Sequence, residues 1–342
     1  MAGLSPKWRE WFRVGVFVLL LGASPAFAQS PAGAPAGVPP SSNAQTGGAL
    51  DASGNKALLD MDIDQLSKVD VKVPSMDIEV TSVTKEVSTI GRSAAAVFVI
   101  TPEMIRRSGA RNIPEALRLA PGLDVAEING SQWAISSRGF NGRFANKLLV
   151  LVDGRVVYNS LFSGVYWEQL DVVLEDIERI EVIRGPGATV WGANAVNGVI
   201  SIITKSAGKT QGALVVGGGG TTERDFGTVR YGGEVGDGLY YRVYGTYHDR
   251  ADSYLPIDAY DGNRLGQGGF RMDWDLDRTK TDKITMQGDY YDGRIKSTTV
   301  APVFPDPFGS YEQTVRQAVP VSGNNLLGRW THTIDEESNL SC

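Results

Sequence analysis

Gly266-Gln267-Gly268-Gly269-Phe270-Arg271-Met272-Asp273-Trp274-Asp275-Leu276 is the stretch that decides the fold. One parity carries Gly266, Gly268, Phe270, Met272, Trp274 and Leu276, and the other carries Gln267, Gly269, Arg271, Asp273 and Asp275. A helix would spread both sets around its axis, whereas a strand sends them to opposite faces. The run is as long as a tilted strand crossing a bilayer, which needs roughly 9–11 residues. Residues 227–235 repeat the pattern, with Val229, Tyr231 and Val235 opposed to Thr228, Arg230 and Glu234. Residues 239–248, 284–290 and 326–334 alternate less strictly. Gly236-Asp237-Gly238 makes a short connection, while 250–264 and 294–321 read as long loops. Short turns at one rim and long loops at the other are the habit of a membrane β-barrel. A water-soluble antiparallel sandwich is the competing arrangement.

Upstream of these strands the texture is different. Residues 78–205 read as one α+β domain. Ala96-Val97-Phe98-Val99-Ile100 is a strand candidate. Thr101 then serves as a helix N-cap with Pro102 at the first helical position, and Gly109 ends that helix. Asn112 and Glu115 start a second helix over 113–119, which Pro121-Gly122 terminates. Asp153-Gly154 stands between the apolar runs 148–152 and 155–158. That pair predicts a type I′ hairpin turn, which requires positive φ at both positions. Residues 180–183 and 199–204 supply further strands. Between them, Gly185-Pro186-Gly187 and Gly192 permit tight turns and close backbone packing. The stretch lacks the Lys-Ser/Thr pair of a phosphate-binding loop.

At the N-terminus, Lys7, Arg9 and Arg13 precede an apolar run over 14–21 and then Ala26-Phe27-Ala28. This is the pattern of a cleaved signal peptide over 1–28. The apolar run is shorter than the roughly 20 residues a spanning helix requires. Residues 29–56 are rich in Ala, Pro, Gly and Ser and 57–73 read as a short amphipathic helix, so 29–77 reads as a flexible linker with one short helix. The formal charge of −6, with both signs mixed along the chain, leaves no basic footprint for nucleic acid. The one cysteine, Cys342, permits no internal disulfide. His248 and His332 are the only histidines, and no Gly-x-Ser-x-Gly turn is present. This inventory supports neither an enzyme nor a bound cofactor or metal.

Three ordered motifs resemble the plug of TonB-dependent outer-membrane receptors. The first is 111–125, containing Pro114-Glu115-Ala116-Leu117-Arg118 and Pro121-Gly122. The second is Ser137-Arg138-Gly139-Phe140-Asn141, followed by Leu149-Val150-Leu151-Val152-Asp153-Gly154-Arg155. The third runs over 177–187, Ile177-Glu178-Arg179-Ile180-Glu181-Val182-Ile183-Arg184-Gly185-Pro186-Gly187, and continues through 191–200. The resemblance implies an α+β plug over 78–205 followed by the first antiparallel transmembrane β-barrel strands over 206–342. It implies a 22-stranded barrel, so the barrel is expected to be incomplete in this chain, as in a fragment or frameshifted product. Expressed alone, such a chain is expected to give no heat-resistant membrane species.

The resemblance further implies energy-coupled ligand uptake at the cell outer membrane. Energy would come through the TonB–ExbB–ExbD complex, and the other partners would be outer-membrane lipid and an extracellular small molecule. A ferric siderophore or similar metal chelate is the first expectation for the ligand, with cobalamin, haem or an oligosaccharide as alternatives. Ile78, Glu79, Val80, Thr81, Ser82 and Val83 resemble a TonB box. A short β-branched segment there can pair as a strand with the transducer; the alternative reading is the first plug strand. Glu178, Arg179, Glu181 and Arg184 are expected to pair with one another and with the barrel wall, and Arg138 is expected to act in the same way. By the family's pattern Asn141, Arg143, Phe144, Phe162, Tyr166 and Trp167 are ligand candidates. Basic and aromatic groups suit anionic metal chelates. Packing of plug on barrel accounts for the same residues equally well.

Overall fold

The computed structural model describes residues 78–82, 88–93, 95–159, 161–162, 164–192, 194–254, 259–276, 281–302, 312–334 and 339–341. The expected signal peptide and linker, and Val83 of the hexapeptide, lie outside the described residues.

Two short strands come first, β1 (Glu79–Val80) and β2 (Ser88–Thr89), paired antiparallel. β3 (Ala96–Ile100) coincides with the β-branched run. Helix α1 (Pro102–Ser108) starts where Thr101 Oγ1 accepts from Met104 N, and it stops at Gly109 with φ 70°. Helix α2 (Ile113–Leu117) starts where Asn112 Oδ1 accepts from Glu115 N at 2.8 Å. The Glu115 carboxylate reaches back to Arg111 N at 2.9 Å. Burial pulls the Glu115 pKa up, but the hydrogen bonds from Arg111 outweigh it and hold the carboxyl below its usual range.

A hairpin of β4 (Leu123–Glu127) and β5 (Trp133–Ser137) follows. β6 (Leu148–Val152) and β7 (Arg155–Val156) flank the Asp153-Gly154 turn, whose φ values of 49° and 84° have the signs of type I′. β8 (Ile177–Arg184), helix α3 (Ala188–Trp191) and β9 (Gly198–Thr204) complete the unit. The five-stranded sheet has the order β3-β8-β9-β6-β7, with β6 and β9 parallel. Strands covered on both faces read as near-continuous apolar runs; β6 does, and β9 does apart from Ser201 and Thr204. Leu148, Val150 and Val152 join the core beneath α1 and α2, with Ile105, Ile113 and Leu117. Leu149 and Leu151 point to the other face and pack with Val80, Val97, Ile183 and Val199.

The rest of the described chain is an antiparallel meander. It comprises β10 (Gly212–Gly218), β11 (Glu223–Val235), β12 (Leu239–Arg250), β13 (Asn263–Asp275), β14 (Asp282–Pro302), β15 (Glu312–Thr333) and β16 (Asn339–Ser341). These strands pair in chain order into an open seven-stranded sheet. One expectation is corrected here, because most of 294–321 is paired strand rather than loop. β14 and β15 stay in register from Asp282 opposite His332 to Pro302 opposite Glu312. The β-branched run Thr298-Thr299-Val300 faces Val315 across the ladder, and β-branched pairs favour continued pairing. At ~3.3 Å per residue this hairpin reaches ~70 Å, about twice a membrane span.

The two faces of the sheet decide between barrel and sandwich. The buried face carries Arg242, His248, Gln267 and Asp273, at 5%, 6%, 8% and 2% exposure. The outer face exposes Val229, Tyr231, Val243, Met272, Trp274, Leu326 and Trp330. Charges inside and large apolar groups outside is the reverse of a water-soluble sandwich, and it is what lipid requires. Val243→Arg, in the middle of β12, should therefore cost ~2–4 kcal/mol of insertion at mid-bilayer depth. Folding of the full chain into lipid vesicles along a denaturant series measures this. On a strand facing water the same change would shift stability by under ~0.5 kcal/mol, and that outcome would rule out lipid contact.

Candidate functional site

Ile78–Ser82 does not hang free. Val80 is fully buried in the second core, and Ile90 N donates to Ile78 O at 3.1 Å. Beyond β1 the segment leaves its short ladder and is held by side chains, chiefly by one. The Glu181 carboxylate accepts from Thr81 N at 3.0 Å, from Ser82 N at 2.8 Å and from Ser82 Oγ. Thr81 Oγ1 stands 3.5 Å from the same carboxylate, and Arg179 Nε donates to it at 2.7 Å. Trp191 Nε1 donates to Ser82 O at 2.6 Å.

Of the other motif charges, Glu178 pairs with Lys209 at 2.7 Å, on the turn that leads into β10. Arg184 Nη1 donates to Pro121 O at 3.2 Å, and Arg138 Nη2 donates to Arg184 O at 3.3 Å. Arg138 itself has φ 60°, beside Gly139 at 92°. Gly185 has φ 136°, and a Cβ on Gly187 would meet Val199 Cγ2 at 3.0 Å. Apart from the Glu178–Lys209 pair, which ties the plug to the start of the wall, these contacts fasten the plug to itself.

Among the described residues, further bonds to the wall come from three other acids, and Arg111 Nη1 lies 3.8 Å from Glu223 Oε2 on β11. Asp153 Oδ1 accepts from Thr204 N at 2.8 Å, and its Oδ2 accepts from Thr204 Oγ1 at 2.8 Å and Gln287 Nε2 at 3.1 Å. Arg271 Nη1 lies 3.7 Å from that Oδ2. The carbonyl of Asp153 accepts from Arg329 Nη2 at 2.5 Å. A Cβ on Gly154 would meet Arg329 Nη2 at 2.8 Å, so the glycine serves the wall contact as well as the turn. Asp176, 2% exposed, pairs with Arg230 on β11 and lies 3.7 Å from Arg242 Nε on β12. Asp171 Oδ2 meets Thr246 Oγ1 at 3.4 Å and His248 Nδ1 at 3.5 Å. Between plug and wall lies a polar cavity of ≈ 270 Å³, bordered by Asp153, Asp171, Asp176, Arg242, Tyr244 and Gln267 among others. Sequence reading placed Asp153 in the hairpin turn but not at the wall, and missed Asp171 and Asp176, because a lone Asp carries no local mark of a partner dozens of residues away.

Four of the six ligand candidates come together. Phe144 and Phe162 stack at 5.7 Å, and each meets Tyr166 edge-on at 5.6 Å. The chain approaches closely here, since a Cβ on Gly164 would lie 2.8 Å from Phe144 Cα. The Arg143 guanidinium lies 5.0 Å from the Phe144 ring centroid. Its Nη2 donates to Glu168 Oε1 at 2.8 Å, and that acid is buried. The cation is thus compensated inside the plug, and the surface offered is mainly aromatic. Burial raises the Tyr166 hydroxyl above its usual pKa. Asn141 stands exposed on the preceding loop. Trp167 is corrected, since it is 6% exposed and packs in the main core beneath the group. Phe140, 81% exposed, and Leu161, 82% exposed, were not singled out from the sequence. Phe140 lies within the Ser137–Asn141 motif, which is the signal that could have marked it.

Comparison with known proteins agrees with this geometry. Residues 89–199 match the family described as the TonB-dependent receptor plug domain. The vitamin B12 transporter BtuB of Vibrio vulnificus (strain CMCP6) is 33% identical over 164 residues, covering 46% of this chain and 26% of the transporter. The ferric enterobactin receptor of Pseudomonas aeruginosa is 33% identical over 197 residues, covering 52% of this chain and 26% of the receptor. The chain thus spans about a quarter of the length of these relatives. In fold, the crystal structure of the ferripyoverdine receptor of Pseudomonas aeruginosa superimposes with a TM-score of 0.55 at 18% identity, over 75% of this chain and 34% of that one. The ferric yersiniabactin receptor FyuA of Yersinia pestis gives 0.52 at 19% identity, over 70% and 39%. With its plug seated on wall strands that turn apolar faces outward, the chain is similar in sequence and fold to the TonB-dependent outer-membrane receptors, whose plug-domain family residues 89–199 match.

Proposed function

We propose that the protein serves energy-coupled uptake of a scarce ligand across the outer membrane. The observation that carries this is the folded plug bonded, through Asp153, Asp171 and Asp176, to the polar face of a sheet whose other face is apolar. A passive pore has no use for such a stopper. Residues 78–83 are the segment through which the TonB–ExbB–ExbD complex acts, by strand addition in the periplasm. Residues 1–28 direct export, 29–77 link, 78–205 form the plug domain, and 206–342 begin the barrel.

The ligand is a ferric siderophore or similar metal chelate. Similarity to the ferric enterobactin receptor and to ferric siderophore receptor folds supports this. The aromatic surface of Phe144, Phe162 and Tyr166, with Asn141 and Arg143 at its margin, is the plug's contribution to the ligand site. Its largely neutral character suits a ligand with flat aromatic or macrocyclic faces, so cobalamin is the second reading. The vitamin B12 transporter relatives favour that one. The test is uptake of radiolabelled ferric catecholate chelate and of radiolabelled cobalamin, in cells with this protein as sole receptor. One of the two should accumulate, and a protonophore should stop it. Accumulation that continues under the protonophore would make the protein a passive pore.

A further inference from the structure

We infer that Glu181 is the latch that stores residues 78–82 in the plug, and that Arg179 is what permits the latch to open. The inference rests on reading that segment as the coupling segment, and it deepens that reading by naming what holds and frees it. β1 pairs only with the two-residue β2 and does not join the five-stranded sheet. Backbone pairing is therefore a weak hold. The firm hold is the Glu181 carboxylate, whose side chain is 0% exposed. Four of its five donors, Thr81 N, Thr81 Oγ1, Ser82 N and Ser82 Oγ, belong to the segment, and the fifth is Arg179 Nε.

A partner that adds a strand to the segment needs the backbone groups that Glu181 occupies. Pairing and latching therefore compete for Thr81 N and Ser82 N. Departure of the segment would leave a buried carboxylate without four of its donors, which by itself is strongly unfavourable. Arg179 stays behind on β8 and keeps the carboxylate paired. Glu181 also sits on a strand bonded to both β3 and β9, so tension on residues 78–82 enters the sheet at β8 before the latch gives.

Residue-resolved hydrogen exchange on the full chain in lipid tests this. In Glu181→Ala the Thr81 and Ser82 amides should exchange at least ~10-fold faster, with Val150 and Ile200 as protected as before. Glu181→Gln, which keeps one acceptor oxygen and the side-chain volume, should give an intermediate increase. Unchanged protection at Thr81 and Ser82 in Glu181→Gln, or in a Glu181→Ala protein that still protects Val150 and Ile200, overturns the latch. Binding of the purified periplasmic domain of the transducer separates this from the coupling assignment. Faster exchange with tighter binding supports both. Faster exchange with no gain in binding supports the latch and overturns the coupling role of the segment.

Discussion

Asp176→Ala should cost the full chain ~3–5 kcal/mol of stability, the usual scale for stripping one partner from a buried ion pair. Asp176 is 2% exposed and lies against guanidinium groups from two wall strands, Arg230 on β11 and Arg242 on β12. Arg242 has other acceptors, Lys205 O at 2.7 Å and Thr204 Oγ1 at 3.1 Å. Arg230, at 11% side-chain exposure, depends on Asp176. Alanine at 176 would leave that cation desolvated and unpaired. Asp176→Asn should cost less, because an amide oxygen still accepts. Adding Arg230→Met to Asp176→Ala should recover part of the loss, since removing both members of a buried pair is cheaper than removing one. Denaturant unfolding of the full chain in lipid vesicles, followed by tryptophan fluorescence, measures all three. A loss under ~1 kcal/mol for Asp176→Ala would mean that the pair behaves as a hydrated surface contact, and that the plug is held in the wall by other bonds.

What the sequence disclosed about this fold is what local chemistry encodes. The Asp153-Gly154 turn needs two positive φ values, few residue pairs supply them, and β6 ends where that pair begins. β13 was legible because a strand with one greasy and one wet side must alternate at period two. Its apolar parity does face outward, with Met272 and Trp274 exposed and Asp273 buried. β4 and β5 were missed for the converse reason. β5 is buried at every position and shows no alternation, and β4, as long as β3, lacks the β-branched run that marked β3. The extra length of β14 and β15 escaped because Ser and Thr read as loop residues when no apolar face accompanies them. In the site, the third motif announced its charges but not their partners. Glu181 bonds residues 99 and 100 positions earlier in the chain, and Arg271 approaches Asp153 across the seam between plug and wall. A turn-forming residue such as Asp153 gives no sign that its carboxylate will also organise Thr204 and Gln287.

Val80→Pro should reduce ligand uptake to the level of an uncoupled cell while leaving ligand binding intact. Proline removes the backbone N–H at residue 80 and biases residue 79, so neither β1 nor a strand added by the transducer can form normally. The fold imposes a control on this experiment. Val80 is fully buried against Val97, Val99 and Ile183, so proline also disturbs packing in the second core. Val80→Ala isolates that effect. It deletes two methyl groups, keeps the backbone donor, and should cost ~1–3 kcal/mol of plug stability. If the segment acts through its backbone, the alanine variant transports and the proline variant does not, although both bind ligand at the cell surface. If packing is what matters, the two variants fail together and lose binding as well. Normal transport by Val80→Pro would remove residues 78–83 from the coupling path altogether, because strand addition cannot proceed through a residue that lacks its donor. The distinction depends on measuring binding and uptake in the same cells, since only their separation tells a pulled segment from a damaged plug.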